Sequence, residues 1–424
     1  MFAKKNLPQH MKQLIPTDRK HLMLEGNVQR TVVGEPIMFL LNQCVEGLYT
    51  PVQVTETEDE AECSTAENAH LASTAQVLLD ITWEKLNTGY WKDVDISWRY
   101  IYSYASLFKV LFLCCDETQT FQELIYTCDM GIIMGAPILD GLLSKVASVL
   151  CSLSRPDKEI PKSLSDLEEP KSKYIKQSQF PLINKSAEVL QVASPSLETF
   201  EATYMKQLQP VIITQAIDYW PALSTHRWST DYLLQVAGPR TVPVELGARY
   251  TDVNWSQKLM TVQKFVDTYI LKKNGQTDVA YLAQHQLFDQ IRELREDISI
   301  PTYCCLAETD NEVDINGWFG PEGTVSPLHY DPKHNLLAQI VGKKYVRLYS
   351  EETTPFLYPY EERLLNNTSR VDVENPDLEK FPLFAKAKCK ECIIEPGQLL
   401  YIPPRCWHYV RSLSTSFSVS FWWQ

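Results

Sequence analysis

The chain has 424 residues, 44% of them apolar, and a formal net charge of −13. That length and apolar content suit more than one packed domain. The acidic balance excludes strong direct nucleic-acid binding by electrostatics and favours a basic peptide partner. The eleven cysteines are odd in number and lack a paired rhythm, which excludes a disulfide framework and points to a reducing compartment.

In chain order, residues 1–30 read as irregular, 32–49 as a helix and 55–67 as an exposed acidic loop. Met1-Phe2-Ala3-Lys4-Lys5 leads into a polar stretch and does not read as a secretory signal. Helices follow near 72–86, 96–115, 119–130 and 137–153. In the last of these Ile138, Leu142, Leu143, Val146 and Leu150 recur on one face, and Pro137 sits where a first-turn proline is tolerated. The most apolar helix, near 105–115, carries Lys109 and is too short to span a bilayer, so no membrane association is expected. Residues 1–153 therefore read as an all-α scaffold or partner-docking module without catalytic clusters. Residues 154–186 read as a linker, with Pro156, Pro161, Pro170 and Pro181, mixed charge and little apolar periodicity. Lys162, Lys171, Lys173 and Lys176 hint at a nuclear address but are diluted by acids. From 187 the pattern becomes mixed and then mostly β, with a long insertion rich in proline and charge at 358–384. A fragment starting near 187 is expected to fold alone.

The late β region carries the chemistry. In Ser326-Pro327-Leu328-His329-Tyr330-Asp331, His329 and Asp331 are two apart, and on a strand residues i and i+2 share a face. About eighty residues later Trp407-His408-Tyr409 offers a second imidazole, after a Pro-Gly turn at Pro396-Gly397 and an apolar strand at 399–402. Two His and one carboxylate on one face of a metal form the non-haem Fe(II) triad. Downstream, 336–340 and 344–349 read as strands joined by a turn at Val341-Gly342-Lys343. In the second strand Lys344 shares a face with Val346 and Leu348, and Tyr345, Arg347 and Tyr349 take the other. Lys344 is either buried, where an ammonium needs an anionic partner, or solvated, and the pattern leaves both open. Cys389-Lys390-Glu391-Cys392 lacks the two further ligands a structural zinc needs and reads as ordinary thiols.

Residues 187–424 resemble the Jumonji C (JmjC) oxygenases in Tyr281-Leu282-Ala283-Gln284-His285, Ile300-Pro301-Thr302-Tyr303-Cys304, Ser326-Pro327-Leu328-His329, Gly342-Lys343-Lys344-Tyr345 and Ser418-Val419-Ser420-Phe421-Trp422-Trp423. A looser likeness reaches Trp83-Glu84-Lys85-Leu86 and Cys128-Asp129-Met130-Gly131. Tyr330 departs from the smaller polar residue usual between the ligands, and the strand alternation points it away from the metal. The resemblance implies an α+β chain of two domains, a helical module followed by a double-stranded β-helix (a cupin-like jelly roll) with flanking helices. It implies Fe(II), 2-oxoglutarate as co-substrate and O2. His329, Asp331 and His408 would be the catalytic metal ligands, Lys344 would pair with the distal co-substrate carboxylate, Asn335, Ser326 and Tyr281 would hydrogen-bond the co-substrate, and Trp422 would wall its pocket. It further implies a nuclear protein acting on chromatin and transcription, with the cytoplasm also open.

The implied substrates are protein side chains, in basic, Arg-containing segments or chromatin-associated proteins. Glu245 is a candidate carboxylate for a guanidinium, since such pairs can be bidentate. Trp318 and Tyr250 could cradle its plane, with core packing the alternative for Trp318, and Gln284 could add a polar contact. Arginyl C-hydroxylation is the first reading. N-methyl-lysine demethylation, a non-catalytic cupin-like scaffold and a peptidase are the alternatives; the last lacks a visible nucleophile–base pair.

Overall fold

The computed structural model describes residues 9–22, 24–49, 58–114, 116, 118–154, 181, 183–247, 255–272, 278–307, 312–362 and 365–424. Most of the linker expected at 154–186, including its four lysines, lies outside them. The chain divides into two compact units. One comprises Met1–Glu159, Pro239–Thr241 and Asp289–Arg292; the other comprises Ile160–Gly238, Val242–Phe288 and Glu293–Gln424. No helix among the described residues is long and apolar enough to cross a membrane.

The first unit is helical. Its main helices are α1 (Glu35–Tyr49), α2 (Glu58–Leu86), α3 (Ile96–Leu113), α4 (Phe121–Ile133) and α5 (Leu142–Leu153). Gly34, at φ +84, breaks the helix expected over 32–49 into two. The acidic loop expected to reach residue 67 is instead the start of α2 from Glu58, where a Glu- and Ala-rich sequence has high helix propensity. The helix expected from Pro137 starts only at Leu142, because Leu139, Asp140 and Gly141 are left-handed in succession (φ 48, 51 and 68). Thr120 and Glu123 form a capping box at the start of α4. Within α4 the fully buried Asp129 carboxylate is saturated with donors. Oδ1 accepts from Arg240 Nε (2.9 Å) and Nη2 (2.7 Å) and from Gln290 Nε2 (2.7 Å), and Oδ2 accepts from the Thr241 N–H (2.6 Å). The Ser144 hydroxyl of α5 donates to the Gln290 carbonyl (2.8 Å). Thus two short segments from beyond residue 187 cluster with the helices, a connection that no local pattern announces.

The second unit is a β-sandwich of the cupin type. Among the described residues the larger sheet has nine strands, in the order β1 (Gln191–Ala193), β2 (Val211–Thr214), β11 (Leu399–Ile402), β8 (His334–Val341), β13 (Ser416–Trp423), β6 (Asp314–Gly320), β5 (Ala280–His285), β3 (Thr241–Leu246) and β4 (Ser256–Thr261). The smaller has four, in the order β10 (Lys390–Ile394), β9 (Lys344–Tyr349), β12 (Trp407–Ser412) and β7 (Val325–His329). The order jumps back and forth along the chain, as expected of a double-stranded β-helix.

Strand alternation builds two cores on the smaller sheet. Val346 and Leu348 of β9 join Leu337, Leu400, Ile402 and Val410 in an inner core. Tyr345 and Tyr349 of the same strand face a second core with Leu357 and with Val371, Val373 and Phe384 from the long insertion. The described residues of the insertion are therefore packed structure, built of turns, bends and the start of the 3-10 helix Pro382–Lys386. Both faces of β9 are thus largely covered.

Candidate metal and co-substrate site

β7 and β12 pair antiparallel, and their register sets His329 opposite His408. The two imidazole centroids lie 4.2 Å apart. β7 ends at His329, so Asp331 lies just past the strand, yet the alternation carries on far enough to return its carboxylate to the same side. Asp331 Oδ2 comes within 3.6 Å of His408 Nε2, and one ligand atom from each of the three residues lies within 4.8 Å of the others. Among the described residues this is the one such cluster of potential metal ligands.

Local hydrogen bonds orient the donors. The Nδ1–H of His329 donates to the Pro327 carbonyl (2.7 Å), and that of His408 to the Cys406 carbonyl (3.0 Å). Each bond selects the tautomer with its lone pair on Nε2, which is how metal-binding histidines are commonly held. Burial, with His329 alongside, pushes the His408 pKa down to about 4 and keeps the ring neutral for coordination. Asp331 Oδ2 is buried without a hydrogen-bond partner. Such an oxygen is costly unless a cation meets it. Two imidazoles, one orphaned carboxylate oxygen and a common focus fit a divalent iron with open positions.

The other end of the cavity is built around Lys344, the first residue of β9. Gly342 (φ +69) turns the chain between β8 and β9. Lys344 then pairs with Ser412 and Ile394, its side chain on the inner face and 1% exposed. Of the two faces left open by the pattern, the inner one is therefore occupied. Lys344 Nζ donates to the Tyr281 hydroxyl (3.0 Å), which also bonds the Ser326 side chain. Among the described residues no carboxylate forms an ion pair with Lys344, and burial pushes its pKa down to about 7. Asn335 Oδ1 and Trp422 Nε1 are buried without hydrogen-bond partners, on paired positions of β8 and β13. A buried ammonium without an anion, beside an idle acceptor and an idle donor, fits a small anionic ligand bearing carboxylates.

These residues line one cavity of about 360 Å³, part of it open to solvent, whose wall includes the three metal-ligand candidates, Tyr281, Ser326, Asn335, Lys344, Trp318 and Trp422. Trp318 donates its indole N–H to Ser420 Oγ (2.9 Å), and its ring lies 6.0 Å from that of Tyr281. Glu245 and Gln284 are not part of this wall. Glu245 is half-buried on β3, opposite Tyr281 of β5. Burial raises its pKa, and a side-chain hydrogen bond from Trp255 offsets part of that rise. Gln284 is exposed, in a left-handed conformation (φ 46). Tyr250 lies outside the described residues.

Sequence reasoning missed Leu337, Ile402, Val410 and Ser420 in the wall. A signal for Ser420 was present: Ser416, Ser418 and Ser420 alternate along β13 and are fully buried, so one face of that strand is polar where aliphatics would be usual. The Cys389 and Cys392 thiols are free, their pKa values raised by burial, and Cys392 packs in the inner core as an ordinary thiol.

Comparison with known proteins agrees with this architecture. Residues 197–424 match the family described as "Cupin-like domain", and residues 35–162 match "KDM8-like, N-terminal ARM repeats". The chain is 52% identical over 369 residues to Lysine-specific demethylase 8 of Danio rerio, covering 86% of this chain and 89% of that protein. It is 45% identical over 393 residues to Lysine-specific demethylase 8 of Xenopus tropicalis, covering 82% and 87%. Jumonji C domain-containing protein 5 of Drosophila melanogaster is 40% identical over 353 residues, covering 82% and 85%. With its sandwich, its His-Asp-His cluster and these similarities, the chain belongs to the Jumonji C family of cupin-like oxygenases, which use Fe(II) and 2-oxoglutarate.

Proposed function

We propose that this oxygenase hydroxylates a C–H bond of an arginine side chain in a basic protein segment. The observation that carries the reading is Glu245, a half-buried carboxylate on the strand beside Tyr281, steadied by Trp255. A fixed carboxylate matches the planar fork of a guanidinium better than the point charge of an ammonium.

His329, Asp331 and His408 would hold the iron through the orientations described above. Lys344, with Tyr281 behind it, would take the distal carboxylate of 2-oxoglutarate. Asn335 and Ser326 would hydrogen-bond its remaining oxygens, and Trp422 would close one side. Leu337, Ile402 and Val410 would keep water from the reacting centre. With O2, the bound iron and co-substrate supply the oxidising power for an unactivated C–H bond, and the protein supplies binding and orientation. Trp318, fixed by Ser420, would offer an aromatic face to the substrate side chain. A basic peptide would be drawn by the net charge of −13. Action on chromatin-associated proteins in the nucleus, and on cytoplasmic proteins, belongs to the same proposal.

A second reading is favoured by the names of two relatives, each called Lysine-specific demethylase 8. Matched Arg, Lys and N-methyl-lysine peptides, incubated with the enzyme, Fe(II) and 2-oxoglutarate and read by mass spectrometry, separate the two. Addition of one oxygen atom to Arg, lost on Arg→Lys replacement in the peptide and reduced by Glu245→Gln, is the expected result. Methyl loss from the methyl-lysine peptide, indifferent to Glu245, would promote demethylation and reject the arginyl reading.

A further inference from the structure

Asp331 is the one ligand candidate outside a strand, so something other than a sheet ladder must hold it. Its carbonyl accepts a hydrogen bond from the Arg405 N–H (2.7 Å). Arg405 adopts φ +59, a left-handed conformation uncommon for a residue with a side chain. The guanidinium of Arg405 lies 4.9 Å from the centroid of the Tyr330 ring. Tyr330 is the residue between His329 and Asp331. Its ring meets Trp407 edge-on (4.9 Å, 73°), and Trp407 directly precedes His408. The Tyr330 backbone is pinned as well: its N–H donates to the Asn367 carbonyl (3.0 Å), and Asn367 Nδ2 donates to its carbonyl (3.0 Å).

Both partners of Tyr330 are anchored by one short 3-10 turn, Glu351–Phe356. Glu351 forms an ion pair with Arg405, and Thr354 Oγ1 accepts from Trp407 Nε1 (2.9 Å). So the ring between two ligands touches both Arg405 and Trp407, which lead into the third ligand. β7 and β12 need such a tie. Their register shifts between His408 and Val410, and the ladder stops at His329.

We infer that Tyr330 and Arg405 are positioning residues of the metal centre: a stacked ring and cation that lock the His329–Asp331 turn to the segment leading into His408. The alternation that turns Tyr330 away from the metal thus gives it this outward task. A metal site loose by a fraction of an ångström loses affinity, and residues that orient ligands commonly affect metal binding about 10- to 100-fold.

The test uses the full chain and Co(II), followed by ligand-field absorption, beside thermal unfolding of the metal-free protein. Tyr330→Ala should weaken Co(II) binding about tenfold or more and alter the absorption band, while Tyr330→Phe, which keeps the ring, should restore both. Arg405→Gly accepts the left-handed backbone and keeps the N–H to Asp331, so it removes the cation together with its ion pair to Glu351. It should fall between the parent and Tyr330→Ala. If Tyr330→Ala does not fold, Arg405→Gly and Tyr330→Phe carry the comparison. Co(II) affinity and absorption unchanged in Tyr330→Ala and Arg405→Gly, or a Phe variant as impaired as the Ala variant, would overturn the inference.

Discussion

Lys344 shows how one side chain couples the fold to the chemistry. It is fully buried, bonded to Tyr281, and its pKa is pushed down to about 7 by desolvation. A bound carboxylate would favour the ammonium and raise that value. Binding of 2-oxoglutarate should therefore take up a proton above pH 7. Affinity is fully expressed below about pH 7 and falls as pH rises, until the raised pKa of the complex is passed. Calorimetry in two buffers of different ionisation heat reads this uptake; binding without proton uptake at pH 8 would contradict it. Lys344→Ala should raise the apparent Michaelis constant for 2-oxoglutarate about ten- to a hundredfold, since a charge-assisted contact contributes about 1.5–3 kcal/mol. At the metal end, His329→Ala and Asp331→Ala should each abolish turnover and weaken Fe(II) or Mn(II) binding, as read by a metal titration. Full turnover in both would remove the triad assignment.

Among the elements, the turn from β8 to β9 matters most, because it carries the chain from the larger sheet to the smaller and sets which face Lys344 takes. Gly342 sits at φ +69, and a Cβ there would lie 2.0 Å from the Thr415 carbonyl oxygen. Gly342→Ala should destabilise the protein by at least about 1–3 kcal/mol in urea unfolding, from the left-handed backbone and the clash together. A variant as stable as the parent would show that the turn can relax. The boundaries of β9 and β11 were legible in the sequence because period-two patterning or turn residues bracket them. The start of α2 was not, since acidic composition alone does not separate a helix start from a solvated loop. Nor was the late start of α5, where three left-handed residues override the apolar periodicity. Along β13 the serine alternation was visible, but its meaning depends on Trp318, which comes from another strand.

For the molecule as a whole, Asp129 is the residue that draws distant stretches of the chain into the helical unit. It holds Arg240 and Thr241, 111 and 112 residues away, and Gln290, 161 away. Removing one partner of a buried pair leaves the other charge uncompensated, at a cost of about 3–5 kcal/mol. Asp129→Ala should lose that much in urea unfolding. A fragment starting at 187 keeps Arg240 but lacks Asp129 and should be destabilised likewise, which revises the expectation that it folds independently. A fragment as stable as the full chain would show that Arg240 finds water or another partner. The sequence by itself determined the helical-then-β organisation, the His-X-Asp and distal His, and that Lys344 shares a strand face with Val346 and Leu348, because these rest on local periodicity and on the chemistry of residue types. Tertiary structure alone decided that His329 faces His408, that Lys344 is buried on the inner face, and that Tyr330 meets the Arg405 cation and, edge-on, the ring of Trp407. It also decided that Asp129 binds segments more than a hundred residues away. The reason is that pairing register and burial arise only when distant strands and helices close around one another, and one residue's shift in strand register would send His329, His408 or Lys344 to the opposite face.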